Sequence, residues 1–151
     1  MSKRAASTRA GSVVVKKFVV SAKPPPKSVH IEDDIFAVVS EYEGMRNVHV
    51  RRYKKSGFVF FPTKEGVTFS TEQWDMFFNE RKVMKEAVLS REFGKVIFQE
   101  GKIVVTVTHS DDAEQHLYVE FVKGNIGEIL LTAEMFVTLV DEVMGKVNNF
   151  L

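Results

Sequence analysis

The chain of 151 residues has no cysteine, one tryptophan and four prolines, three of them consecutive. Without cysteine there is no disulfide framework and no thiol nucleophile, which suits an intracellular protein. No apolar run approaches the roughly 18 residues of a membrane-spanning helix. The N-terminus, MSKRAASTRAGS, is basic but lacks the apolar stretch that comes next in a secretory signal. There is no phosphate loop and no Gly-x-Ser-x-Gly elbow, so no catalytic constellation is visible and no enzyme activity is expected. No cofactor and no metal is expected either. The stretch HSDDAEQH offers His109, Asp111, Asp112 and His116, but their spacing fits no standard zinc pattern and reads as a polar loop.

Net charge is scarce as well, at +1, yet it is unevenly placed. Met1 to Ile31 carries seven basic residues and no acid, Glu32 to Arg91 carries ten of each, and Glu92 to Leu151 carries four basic and ten acidic residues. A gradient of this kind gives one end that faces a polyanion and another that faces something else. The first stretch is small, polar and basic, and is expected to be a flexible tail. Within it, Ser12 to Val20 could form a strand or docking segment, and Arg4-x-x-Ser7 could be a kinase site. SAKPPPKS then reads as an extended linker, because prolines join neither helices nor central strands.

From Glu32 the pattern is four strands and a helix, twice over. The first set lies near IFAVVSEY, RNVHVRRY, GFVFFPT and GVTFS, with a helix after Ser70. Ser70 and Gln73 have capping-box spacing. Trp74, Phe77, Phe78 and Met84 share one helical face, so Trp74 reads as core. The second set lies near GKVIFQE, KIVVTVTH, HLYVEFVK and GEILL, with Thr132 as N-cap of an amphipathic C-terminal helix. YEGMRNVHV aligns with QEGKIVVTV, and VTFSTEQW with ILLTAEMF, as a tandem duplication would. The fold expected is α+β: two ββββα units, 32–91 and 92–151, packed as an intrachain pseudo-dimer behind a tail of 1–31. Units of about 60 residues are marginal alone and gain by packing on each other.

The stretch NVHVRRYKKSGFVFF stands out. Between Met45 and Lys64 there are six basic residues, Arg46, Arg51, Arg52, Lys54, Lys55 and Lys64, and no acid. Tyr53 sits among them, and Phe58, Phe60 and Phe61 come after. Cations that track phosphates beside aromatics that stack on bases are the equipment of a single-strand binder. Alternation puts Val48, Val50 and Arg52 on one face of the strand and His49, Arg51 and Tyr53 on the other. If the valines face the core, the second row is exposed. The phenylalanines read first as core. A cationic cluster at a hairpin end can also be a plain solvated edge that resists aggregation. In the second unit the aligned residues, Thr108 to Asp112, read THSDD, so only the first unit is equipped in this way.

The first unit resembles the single-stranded-DNA-binding domain of the positive cofactor 4 family of transcriptional coactivators. The likeness rests on GMRNVHVRRYKK, EGVTFS and TEQWDMF and covers about Gly44 to Val88. It implies curved antiparallel sheets with a basic, aromatic channel, and roles for Tyr53 on bases and for Arg51 and Lys54 on phosphates. FVFFPTKEG is shorter than the family's second strand and turn, and family units pair as separate chains. The resemblance makes single-stranded DNA the expected partner, in transcription or replication, with a nuclear location. His49, Arg46, Arg52, Lys55 and Lys64 would give support. RNA, or a protein docked on the acidic second unit, remains the alternative partner, and further self-association is open.

Overall fold

The computed structural model describes residues 23–151. The readings of a flexible tail, of a strand at Ser12 to Val20 and of a kinase site at Ser7 lie outside them. The chain enters along Lys23, which bridges Val59 in parallel. It turns through the prolines and starts pairing at β1 (Ser28–Glu32), earlier than the expected boundary at Glu32. Next come β2 (Ile35–Tyr42), β3 (Met45–Ser56) and β4 (Val59–Ser70). The segments expected as two strands, GFVFFPT and GVTFS, are the two ends of the single strand β4.

Ser70 caps α1 (Thr71–Asn79): its hydroxyl accepts from the Gln73 amide at 3.1 Å, while the Gln73 side chain accepts from the Ser70 amide at 3.0 Å. Two orphan donors of the first turn are thus satisfied. The expected helix breaks at Glu80 and resumes as α2 (Arg81–Leu89). The second half supplies β5 (Val96–Glu100), β6 (Ile103–His109), β7 (Leu117–Lys123) and β8 (Gly127–Thr132). Thr132 caps α3 (Ala133–Thr138) by accepting from the Met135 amide at 3.1 Å. A π-helical turn, Leu139–Val143, links α3 to α4 (Met144–Asn148).

The fold is α+β. Among the described residues the strands form one sheet in the order β1-β2-β3-β4-β8-β7-β6-β5. Neighbours are antiparallel except β4 and β8, which meet in parallel at Glu65 and Glu128. The order of the first four strands is therefore mirrored in the last four. Val48, Val50 and Phe69 from one half join Ile103, Val105, Phe121 and Leu131 from the other in a single core beneath the helices. Phe77 on α1 meets Phe98 on β5 at 5.1 Å and Phe121 on β7 at 5.8 Å. The Trp74 indole, buried as expected, donates to Asn148 Oδ1 on α4 at 2.9 Å. A buried indole N–H needs such a partner.

The seam between the halves is closed by glycine. A Cβ on Gly127 would run into the carbonyl oxygen of Gly66, and one on Gly66 would lie 2.8 Å from the Val50 carbonyl oxygen and the Arg51 side chain. The missing side chain of Gly127 lets the two halves approach this closely, and that of Gly66 lets β4 lie against Val50 and Arg51 of β3. Gly127→Ala should therefore lower stability in urea denaturation by about 1–3 kcal/mol. Gly145→Ala, on an exposed helical turn with open space around it, should raise it by about 0.5–1 kcal/mol. Equal small effects would mean that the seam yields freely.

Candidate nucleic-acid interface

The face of β2, β3 and β4 turned away from the helices carries the expected row. Register places Val38 opposite His49, Phe36 opposite Arg51, and Arg51 opposite Gly66. His49, Arg51 and Tyr53 share this side, as their parity requires, while Val48 and Val50 are buried on the other. Exposure does not come with it. Tyr53 is only 7% exposed, in a small second core with Phe36, Val38 and the partly buried Phe60. Its ring meets Phe36 edge-on at 5.6 Å. Tyr53 is thus a packing residue here and not a free stacking surface. The cause lies in β2, where Ile35 to Val39 are all buried. An unbroken apolar run of that kind marks a strand covered on both faces.

The register of β3 on β4 slips just beyond Arg51. Arg51 faces Gly66, but Tyr53 faces Pro62, so Thr63, Lys64 and Glu65 lie against Arg52 alone. Pro62 has no N–H for the ladder and belongs at such a bulge. Side chains fill the gap. The Thr63 hydroxyl donates to the Arg52 carbonyl at 2.7 Å, and Arg51 donates to the Thr63 carbonyl at 2.8 Å. Arg52 pairs with Asp34 and, at 2.9 Å, with Glu65. Burial works against its charge, but Glu65 and then Asp34 more than offset this, so its pKa is raised. Arg52 was expected to support a polyanion; instead its charge is spent on the bulge.

Beyond the bulge the β3–β4 hairpin continues as an arm. Lys54 faces Phe61 and Lys55 faces Phe60 across it. Directly opposed residues share a side, so each lysine lies beside a ring. Phe58 and Phe61 are 61% and 52% exposed, against the expectation that phenylalanines go to the core. Arg46, Lys54, Lys55 and Lys64 are all exposed. None of the four, nor Arg51, has an ion pair among the described residues.

The arm leads into a groove of about 680 Å³ floored by Val38, His49, Arg51 and Tyr53 and edged by Lys64 and Ile126. The sequence carries no signal for Ile126, which comes from the β7–β8 turn. On the floor, His49 Nε2 lies 2.7 Å from the Ser40 hydroxyl and Nδ1 lies 3.0 Å from the Thr68 hydroxyl, to which Arg51 also donates at 3.2 Å. Burial, then Arg51, then Lys123 push the His49 pKa down to about 4. His49 is therefore a neutral part of the floor at pH 7, not a cation. Burial also draws the Arg51 pKa below its ordinary value, partly opposed by Tyr53, but a guanidinium stays charged.

The second half has no such arm. Its loop after His109 closes on itself: the Ser110 hydroxyl donates to Asp112 at 2.8 Å and accepts from the His116 amide at 2.9 Å. His109 turns to Phe93 at 4.8 Å.

No protein-family model and no curated protein matches the chain. A solved structure described as the crystal structure of a MoSub1–ssDNA complex in phosphate buffer is 18% identical, over 50% of this chain and 94% of that one, with a TM-score of 0.42.

The lowered pKa of His49 has a sign. Protonation favours the unfolded chain, so the contribution of neutral His49 is fully present above about pH 6.5 and is lost as pH falls towards 4. An NMR titration should give a midpoint near 4, and His49→Gln should flatten the pH dependence of stability between those values. A midpoint near 6.5 would contradict the buried floor.

Proposed function

We propose that this chain is a non-enzymatic binder of single-stranded nucleic acid, acting through the β3–β4 arm and the groove behind it. One observation supports this most strongly. The acids at the bulge, Asp34 and Glu65, are both held by Arg52. Lys54 and Lys55 are thereby left uncompensated on the arm that carries the exposed rings of Phe58 and Phe61, and Arg51 and Lys64 line the groove behind it with no ion pair among the described residues. Free cations beside rings suit a backbone with unstacked bases, whereas a duplex keeps its bases away from the rings. The nucleic-acid-facing part is the first ββββα unit. We read the mirrored strand order as a fused pair of such units, in which the second completes the core. DNA as the strand, and transcription or replication as the setting, rest on the resemblance to the positive cofactor 4 family.

Fluorescence anisotropy over a salt series, with single-stranded DNA, duplex DNA and RNA, tests this function. Single strands should bind more tightly than duplex, with strong salt dependence. Replacing both Phe58 and Phe61 with alanine should weaken single-strand binding by about 1–3 kcal/mol for each base that stacks. Both rings are exposed, so the fold should survive, whereas Tyr53→Ala would disturb packing. No binding at low salt would end the proposal. So would a double variant that binds as before, or binding that vanishes only when residues 1–22 are removed.

A further inference from the structure

The second half is acidic, with four cations to ten acids, and what those four do is informative. Lys95 pairs with Glu92 at 3.0 Å, and Lys146 sits in the last turn of α4, where a cation suits the helix dipole. Lys102 and Lys123 have no ion pair among the described residues. Lys123 stands at the seam, and Lys102 stands beside the β7–β8 turn that follows Lys123. Lys123, at the end of β7, donates across the seam to the Thr68 carbonyl of β4 at 2.8 Å. With Arg51 and Ile126 it lines a small cleft where the halves meet. Lys102 lies along the neighbouring turn, its Cδ 3.4 Å from where a Cβ of Gly124 would be.

We infer that Lys102 and Lys123 extend the groove across the seam, so that a single strand lying on Arg51 continues onto the β5–β6 and β7–β8 turns of the second half. This rests on the proposed single-strand binding and adds to it a second phosphate-contacting segment, from the half that has no arm. Uncompensated like charges held together repel one another, and a polyanion relieves that repulsion. Burial first, then Lys102, lowers the pKa of Lys123, which agrees with their proximity. The route is also bounded. On the other side of Lys64, the cleft between the halves is lined by Glu120 and Glu128, which would repel a phosphate backbone.

The test compares the full chain with two double variants, Lys102→Gln with Lys123→Gln, and Lys95→Gln with Lys146→Gln, by anisotropy on oligothymidylates of increasing length over a salt series. Each lost phosphate contact should lower the salt slope by about 0.7, so the seam variant should lose roughly 1.4 and bind about tenfold more weakly at 0.1 M salt. The control pair should match the parent. The loss should appear only with oligonucleotides long enough to cross the seam. Lys102→Glu, on an exposed turn, should weaken binding alone without altering the fold. A seam variant with the parent's slope and affinity, alongside an Arg51→Gln variant that binds weakly, would overturn the inference and leave the proposed function standing. A parent chain that binds no single strand would overturn both.

Discussion

The whole architecture depends on the contact between Gly66 and Gly127. Two four-stranded halves can share one core only if their inner strands meet, and here they meet where neither residue has a side chain. That contact lets α1 pack against β5 and lets Trp74 reach Asn148. It also brings Lys123 and Ile126 of an acidic half to the edge of a groove built by a basic one. Each half alone would expose one apolar sheet face and one apolar helix face. Joined, they bury both.

The bulge at Arg52 has the same kind of leverage on the interface. Three residues of β4 stand against one of β3, and the missing ladder bonds are replaced by Thr63, Arg51 and Arg52. Arg52 holds Asp34 and Glu65 in place, and so removes the two acids that would otherwise neutralise the arm. A cation used for structure thus leaves its neighbours available to a ligand. The cluster works through division of labour, not through a summed charge. Arg51 forms the floor, Arg52 holds the bulge, and Lys54 and Lys55 flank the rings.

Much was legible in the chain itself. The alternating valines of β3, the capping box at Ser70, the cap at Thr132 and the core position of Trp74 come from spacing, because a strand repeats every two residues and a helix every 3.6. The side taken by His49, Arg51 and Tyr53 comes from the same rule. Their exposure does not, since alternation says which way a side chain points and not what lies over it. The run IFAVV carried the missing signal, a strand with both faces covered, and Phe36 from that run is what closes over Tyr53.

The sequence alone therefore determined most of the strands, the helix caps, the α+β class and the charge gradient, all of which are local or additive properties. Tertiary structure decided which cations remain free, which rings remain bare and whether the second half touches the groove. Those outcomes depend on partners far apart in the chain: Asp34 on Arg52, Phe36 on Tyr53, Lys123 on Thr68. Ion pairing and coverage are set by proximity in space, and no periodicity along the chain encodes them.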